Sequence, residues 1–186
     1  MIGYAICGSF CTHAKSVEVL RQLVAQGEDV LPILSPSVVT TDTRFGTAEK
    51  LMTDVENLTG RKAITTIVDA EPLGPKTPLD ALIIAPCTGN TLAKMANGIT
   101  DTSVTMAAKA HMRTNRPLLI ALATNDAMSA NFANIGTMLA RKSVYFVPMV
   151  QDDPASKPHS LVADFRRTAE AYAAMLEGRQ LRPLIT

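Results

Sequence analysis

The stretch Ala81-Leu-Ile-Ile-Ala-Pro-Cys-Thr-Gly-Asn-Thr-Leu-Ala-Lys-Met-Ala-Asn-Gly98 contains the end of a strand and the start of a helix. An apolar run stops at Pro86, small and polar residues follow, and a helical pattern then begins. A continuous apolar run is typical of a buried parallel strand, and open α/β sheets bind ligands in the loop beyond the carboxyl end of such a strand. The stretch therefore predicts a strand, a loop and a helix. The loop either binds a ligand or is a plain turn capped by Asn90 or Thr91.

The same alternation of strands and helices extends in both directions from this unit. Further strands are predicted at residues 2–8, 29–34, 117–123 and 144–147, and helices at 14–26, 47–58, 102–113, within 125–142 and at 162–176. Residues 35–45 and 151–159 are predicted loops, 64–68 either a short strand or a helical turn, and the proline-rich segment 70–79 irregular. The pattern predicts one domain over residues 1–186 with an α/β fold. We expect a three-layer, doubly wound parallel sheet with right-handed crossovers.

The composition argues against two classes of partner and for a third. The chain has a net charge of +1, no basic block and few aromatic residues, so nucleic-acid binding is not expected. No apolar run approaches the roughly 20 residues that cross a bilayer, so no membrane partner is expected. Charged residues make up only 19% of a chain rich in Ala, Met and Leu. Low surface charge of this kind indicates a homo-oligomer.

Cysteine usage indicates a reducing compartment. The chain has three cysteines, Cys7, Cys11 and Cys87. This odd number does not suggest a disulfide framework. The N-terminus enters a predicted strand without the basic start of a signal peptide. We therefore expect a cytoplasmic protein. No metal site is expected, because the cysteines are isolated from further Cys/His pairs.

Four predicted strands end in small or polar residues that suit a ligand. Because the carboxyl ends of parallel strands lie along one edge, we expect a single pocket there. Gly8 and Ser9 suit a tight turn whose free N–H groups bind phosphate, although neither G-x-G-x-x-G nor a P-loop is present. Each strand end also has a plain interpretation: a glycine that turns the chain, a polar loop or, for Asp126, a helix cap. The other three ends contribute Ser35 and Ser37, Thr88 to Thr91, and Asn125 with Asp126.

The ionisable residues form no catalytic set that spacing alone can identify, so the catalytic residues stay unassigned. His13 lies near the first turn and is either a solvent-facing residue at a helix start or a ligand contact. His111 is predicted at the surface or as a C-terminal cap of its helix. The acidic segment Gln151-Asp-Asp-Pro154 is either a solvated turn or a site for a metal, a cation or a partner.

Three segments resemble a known family in the right order along the chain. Pro86-Cys-Thr-Gly-Asn-Thr-Leu-Ala-Lys-Met-Ala-Asn-Gly-Ile-Thr-Asp101 is similar to the Pro-Ala-Ser-Ala-Asn-Thr…Ala-Asn-Gly…Asp signature of the flavoprotein family that includes phosphopantothenoylcysteine decarboxylase. Gly8-Ser9 resembles its first phosphate-binding turn, and Thr124-Asn-Asp-Ala-Met128 with Asn134 and Leu139 resembles its Pro-Ala-Met-Asn…Met segment. The resemblance implies a Rossmann-like flavoprotein fold and FMN as cofactor. The histidine before the signature strand and the catalytic cysteine segment of the decarboxylases have no counterpart, so an FMN-dependent cysteine decarboxylase is only a third alternative.

Four blocks carry a narrower resemblance, to the family of dipicolinate synthase B subunits. They are Thr43-Arg-Phe-Gly46, Ala70-Glu-Pro-Leu-Gly-Pro-Lys76, Thr124-Asn-Asp126 and Gln151-Asp-Asp-Pro-Ala-Ser-Lys-Pro-His-Ser-Leu-Val-Ala-Asp164. This resemblance implies an oxidoreductase subunit that takes part in making dipicolinate from 4-hydroxy-tetrahydrodipicolinate, by oxidation of dihydrodipicolinate, in sporulation. It also implies a dipicolinate synthase A subunit that carries NAD(P) on a dehydrogenase-like fold. The alternative is a non-catalytic, cofactor-free partner that completes or stabilises the A subunit.

The resemblance also assigns expected site residues. For FMN, Gly8, Ser9 and Ser35 are expected at the phosphate. The full expected cofactor set is Gly8, Ser9, Phe10, Ser35, Pro86, Cys87, Thr88, Gly89, Asn90, Thr91, Thr105 and Asn125. A dicarboxylate substrate requires cations, because arginine binds a carboxylate bidentately and lysine supplies a point charge. Arg44, Lys76 and Lys94 are the expected substrate ligands, and for Lys94 the alternative is an exposed helix lysine.

Overall fold

A computed structural model describes residues 1–186 and shows a central seven-stranded sheet flanked by helices. The strands are β1 (Ile2–Ile6), β2 (Val30–Leu34), β3 (Leu82–Cys87), β4 (Leu118–Thr124), β5 (Val144–Phe146), β6 (Met149–Val150) and β7 (Leu161–Ala163). The helices are α1 (His13–Ala25), α2 (Pro36–Thr40), α3 (Ala48–Thr59), α4 (Ile67–Ala70), α5 (Gly89–Ala96), α6 (Ser103–Met112), α7 (Phe132–Leu139) and α8 (Thr168–Leu176). Phe10–Thr12 and Phe165–Arg167 each form one 3₁₀ turn. None of the helices is both long and apolar enough to span a membrane.

The sheet has a parallel body and a small antiparallel extension. Strands β2, β1, β3 and β4 are parallel neighbours in that order, and β5 pairs in parallel with β4. Strand β7 then pairs antiparallel with both β4 and β6. All six residues of β3 are buried, as a parallel strand covered on both faces requires.

Each face of the sheet buries its own apolar core. Leu20 of α1, Val55 of α3 and Met175 of α8 pack on one face. Leu92 of α5 and Met138 of α7 pack on the other face, together with α4 and α6. The predicted α/β fold with three layers is therefore confirmed, since two helical layers enclose one sheet.

The structure corrects several predicted boundaries. The predicted loop 35–45 contains the short helix α2, which begins at Pro36, a residue suited to the first helical turn. The predicted helix 162–176 is wrong in its first part, because Leu161–Ala163 is strand β7 and the helix begins only at Thr168. The segment 64–68 shows both alternatives. Ile64 bridges Ile33 in parallel, and the helical turn α4 starts at Ile67.

The prediction for His111 is also wrong. Its side chain is fully buried rather than exposed at the end of α6. The ring Nε2 lies 2.9 Å from the Pro117 carbonyl, which can only accept, so Nε2 carries the hydrogen. The other ring nitrogen, Nδ1, is buried without a hydrogen-bond partner.

Candidate functional site

The carboxyl ends of β1, β2 and β3 meet through direct hydrogen bonds. The Ser35 N–H donates to the Ile6 carbonyl at 3.0 Å, and the Cys7 N–H donates to the Pro86 carbonyl at 3.1 Å. The Thr91 hydroxyl donates to the Cys7 sulfur at 3.4 Å. Parallel pairing thus brings three loops that are distant in the sequence to one edge of the sheet.

Strand β4 joins this edge through Gly89. A Cβ atom placed on Gly89 would lie 2.6 Å from the Thr124 hydroxyl, 2.6 Å from Asn131 Nδ2 and 2.9 Å from Asp126 Oδ1. Glycine is required for such a close approach of backbone to polar side chains. We call this edge the rim and define it by Gly8, Ser9, Ser35, Thr88 to Thr91 and Thr124 to Asp126.

The β1 and β2 ends of the rim form a small cluster of hydrogen-bond donors. The Gly8 N–H donates no backbone hydrogen bond. A Cβ atom on Gly8 would lie 2.8 Å from Ser37 Oγ, and the hydroxyls of Ser35 and Ser37 lie 3.1 Å apart. A free N–H and two hydroxyls over a glycine suit an oxyanion such as a phosphate.

At the β4 end, the carboxylate of Asp126 is held by its neighbours. The Thr124 hydroxyl donates to it, and Asn131 Nδ2 donates to both of its oxygens at 3.0 and 2.9 Å. Asn134 donates to Asn131 at 2.9 Å, and Asn97 donates to Asn134 at 3.3 Å, which extends the network to the end of α5. The prediction that Asp126 caps the next helix is wrong, because α7 begins after Asn131.

The loop after β3, residues Thr88 to Thr91, which we call the signature loop, is closed by a helix N-cap. The Thr88 side chain accepts from the Thr91 N–H at 3.1 Å, so Thr88 is the N-cap of α5. Thr91 is buried, whereas Asn90 and Asn125 are exposed on the rim. The predicted caps, Asn90 and Thr91, are instead the second and third residues of the helix. Asn90 and Asn125 remain available to a ligand.

The cysteines near the rim are not activated thiols. Burial raises the pKa of Cys7 to about 11, and burial also raises the pKa of Cys87. His13 Nε2 lies 2.8 Å from the Cys7 carbonyl, and burial lowers the pKa of this histidine. Phe10 lies beside it, with ring centroids 5.2 Å apart. Neither Cys7 nor Cys87 is therefore suited to form a thiolate–imidazolium pair with His13.

Arg44 lies on a turn beside a cavity that opens next to the rim. Residues 43–46 form this turn, closed by two backbone hydrogen bonds between Thr43 and Gly46 at 3.0 and 3.1 Å. The Arg44 guanidinium lies 4.8 Å from the centroid of the Phe45 ring and forms no ion pair. The cavity, of about 310 Å³, is lined by Phe10 and His13, which follow the first turn of the rim, and by Thr43 and Phe45 on either side of Arg44. Arg44 itself lies beside the lining, and the acidic side chains of the lining are already paired, Glu18 with Arg21 and Asp54 with Lys50.

The other expected ligands are placed differently. Lys94 forms an ion pair with Asp101 at 2.8 Å. Lys76 lies in the loop before β3, at the amino edge of the sheet and so away from the rim. Thr105 is buried in the first turn of α6, where it accepts from the Thr102 N–H at 3.0 Å in a capping box. The structure therefore brings neither Lys76 nor a free Thr105 hydroxyl to the rim.

The acidic segment left open in the sequence packs beside β4. Ser160 Oγ donates to Asp152 Oδ1 at 2.7 Å and lies 3.3 Å from the Thr124 carbonyl. The hydrogen bond from Ser160 and the ion pair with Lys157, at 3.1 Å, lower the pKa of Asp152. Asp152 thus fixes its own loop. No group of three or more His, Cys, Asp or Glu side chains is placed to hold a metal ion.

Sequence reasoning missed Asn131 and Ser160 as parts of this edge. Ser37 is expected from the sequence at the end of β2 as one hydroxyl of a polar loop, and the structure places its Oγ beside Gly8. Asn131 and Ser160 reach the edge only through contacts with Asp126 and Thr124, which no local pattern indicates.

Comparisons with known proteins agree with this architecture. The dipicolinate synthase B subunit of Bacillus subtilis (strain 168) is 42% identical over 184 residues, which cover 99% of this chain and 92% of that protein. The crystal structure of the dipicolinate synthase B subunit from Bacillus halodurans C matches with a TM-score of 0.91 and 40% identity, over 100% of this chain and 95% of that one. The FMN-dependent cysteine decarboxylase SpaF shares the fold, with a TM-score of 0.67 and 22% identity over 95% of each chain. The sequence model of the Flavoprotein family matches residues 1–172. This chain belongs to the Flavoprotein family.

Proposed function

We propose that this chain is the B subunit of a dipicolinate synthase and takes part in the oxidation of dihydrodipicolinate to dipicolinate. The observation that carries the proposal is 40% identity to a dipicolinate synthase B subunit with a TM-score of 0.91 over the full chain. The meeting of four loops at the rim also supports this proposal. One edge of the sheet provides both a cluster of hydrogen-bond donors and an adjacent cavity.

We propose FMN as the ligand of the rim. The donor cluster at Gly8, Ser35 and Ser37 would hold its phosphate, since these groups face each other over a glycine. The exposed side chains of Asn90 and Asn125 would reach the ribityl chain and the ring edge. A bound flavin supplies an acceptor for a hydride equivalent. Thr105 is left out of this set, because its hydroxyl belongs to a capping box.

The substrate is proposed to bind beside the rim, in the cavity next to Arg44. A dicarboxylate needs a cation with free N–H donors, and the Arg44 guanidinium has no acidic partner. Lys94 is a weaker ligand here because Asp101 already neutralises it. Aromatisation of the ring removes a proton and a hydride equivalent. We assign no base, since Asp126 is already held by Thr124 and Asn131.

The proposed assembly includes a second kind of chain. The role of a B subunit implies an A subunit, to which we assign NAD(P) and a dehydrogenase-like fold. We also propose a homo-oligomer, since Phe132 of α7 and Val68 of α4 are 60% and 79% exposed. We place this assembly in the cytoplasm, because the three cysteines of the chain are free thiols.

One observation favours a second candidate, a cofactor-free partner that completes the A subunit. Several polar side chains of the rim already bond to each other, as Thr88 does to Thr91 and Asp126 does to Asn131. Polar groups that are already paired in this way need no ligand to satisfy them. A cysteine decarboxylase has less support, because the two buried thiols have raised pKa values.

Reconstitution separates the two candidates. The chain is co-purified with the A subunit, and dihydrodipicolinate oxidation is followed with and without added FMN. We expect a yellow protein with flavin absorbance whose activity depends on both chains and rises with FMN. A colourless protein that restores full activity without FMN would establish the partner role instead.

Asn90→Ala should weaken FMN binding by about 1–3 kcal/mol, because a polar group of the flavin would lose its partner. Flavin fluorescence titration measures this change. Asn57→Ala is the matched control, since Asn57 is an exposed asparagine on α3 outside the rim. Equal flavin affinity in the two variants would contradict the rim as the flavin site.

Arg44→Ala should raise the KM for dihydrodipicolinate in the reconstituted enzyme by roughly tenfold, the effect of about 1.5 kcal/mol from a charge-assisted hydrogen bond. Lys76→Ala serves as the control, because this exposed cation lies at the opposite edge of the sheet. Steady-state kinetics and thermal unfolding are measured for both variants. If KM rises only in Lys76→Ala, Arg44 does not bind the substrate.

A further inference from the structure

A second depression lies between the C-terminal end of α5 and one face of α6, from Thr105 in the first turn of α6 to Arg113 after its last turn. It has a volume of about 300 Å³. Its apolar lining comes from Met95, Ile99 and Met112, and its cations are Lys109, Arg113 and Arg141. Lys109 and Arg113 lie at the end of α6, which leads to the amino edge of the sheet, whereas the rim lies at the carboxyl edge. None of the lining residues belongs to the rim, and Thr105, the one member of the expected cofactor set among them, is held in its capping box. The depression is therefore distinct from the proposed flavin site.

The charge of this depression is unbalanced. None of its three cations forms an ion pair, and no Asp or Glu lines it. The nearby Asp101 is already paired with Lys94 at 2.8 Å. Three positive charges around a concave apolar surface favour an anion. An anion bound there would reduce their mutual repulsion.

The walls of the depression are fixed by the backbone. Arg141 Nη2 donates to the Ala96 carbonyl at 3.2 Å, at the C-terminal end of α5. Gly98 has a φ of 74°, and the Ile99 N–H donates to the Lys94 carbonyl at 2.8 Å, so the turn after α5 is closed. The bond to Ala96 holds the Arg141 guanidinium through Nη2. Its other N–H groups remain free for a carboxylate.

We propose that this depression is an accessory binding site for a small aromatic carboxylate. Its volume matches the lower end of small-ligand sites, about 300–1,000 Å³. Methionine side chains contact a planar ring favourably, and the cations provide charge-assisted hydrogen bonds to carboxylates. The choice of ligand rests on the proposed function. Because that function yields a pyridine dicarboxylate, this compound is the natural probe.

Calorimetric titration of the whole chain with pyridine-2,6-dicarboxylate in metal-free buffer tests the site. We expect saturable binding that weakens about tenfold in Arg113→Gln, as the loss of one charge-assisted hydrogen bond predicts. The control is Lys142→Gln, which removes a neighbouring exposed cation outside the lining and should leave the affinity unchanged. Binding should also persist in Arg44→Ala, which separates this site from the proposed substrate cavity.

Several results would overturn the proposal. These are absence of saturable binding, equal affinities in Arg113→Gln and the wild type, or loss of binding only in Arg44→Ala. Equal affinity for inorganic phosphate would show a general anion site. If light scattering shows that Arg113→Gln changes the oligomeric state while no ligand binds, the depression is an interface between chains.

Discussion

Gly89→Ala should destabilise the fold by about 1–3 kcal/mol, the usual cost of overpacking a well-packed site. The added methyl carbon would lie 2.6 Å from both the Thr124 hydroxyl and Asn131 Nδ2. These groups cannot move away without breaking their hydrogen bonds to Asp126. The variant should therefore lose stability and also weaken flavin binding at the rim. Urea unfolding and flavin titration measure the two effects.

Gly136→Ala is the matched control for this experiment. Gly136 is exposed in the helix α7, and a Cβ atom there meets nothing within 4 Å. Alanine should stabilise the helix by roughly 0.5–1 kcal/mol, because glycine is a poor helix former. If Gly89→Ala is as stable as Gly136→Ala, the side chains of Thr124 and Asn131 can shift to make room for the methyl group at little cost in free energy. The fixed geometry assigned to the rim would then be wrong.

The central architecture can be predicted from the sequence because its signals are local. A continuous apolar run that stops at Pro86 is a property of neighbouring residues, and it predicts β3 and α5 in the right order. Their ends differ by a few residues, because β3 continues to Cys87 and Thr88 caps α5 in place of Asn90 or Thr91. Strand β7 could not be predicted from local signals. Leu161-Val-Ala163 is too short to distinguish a strand from a helix, and its pairing with Ala123 and Met149 involves distant residues.

The candidate site shows the same division. The meeting of Gly8, Ser35 and the signature loop at one edge follows from parallel topology alone. The Asp126 network does not follow, because it depends on Asn131, which reaches back from the start of α7. Lys76 carries the right charge for a carboxylate, but charge does not reveal which edge of the sheet a loop occupies. His111 has charged residues two positions away on either side, yet in a helix those residues face another direction.

Acid should destabilise this protein through His111. Burial is the main cause that lowers the pKa of His111 below its ordinary value of 6.5, and the charge of Arg116 lowers it further, against a hydrogen bond to Pro117 that raises it. Protonation would place an N–H on the buried Nδ1, which has no partner. The unfolded chain therefore binds this proton at a higher pH than the folded chain. Stability is full above the unfolded pKa and falls as the pH drops toward the folded pKa, by at most about 1.4 kcal/mol per pH unit.

The variant His111→Gln isolates this effect. A glutamine keeps an N–H donor for the Pro117 carbonyl but does not titrate, so the loss of stability between about pH 7.5 and about pH 5.5 should be smaller than in the wild type. Burial also lowers the pKa of His13, so the same change at His13 should flatten the dependence further. His159→Gln is the control, because His159 is exposed and its side chain forms no hydrogen bond. Urea unfolding at a series of pH values measures the slope, and equal slopes in His111→Gln and His159→Gln would show that the buried ring is not the group that senses acid.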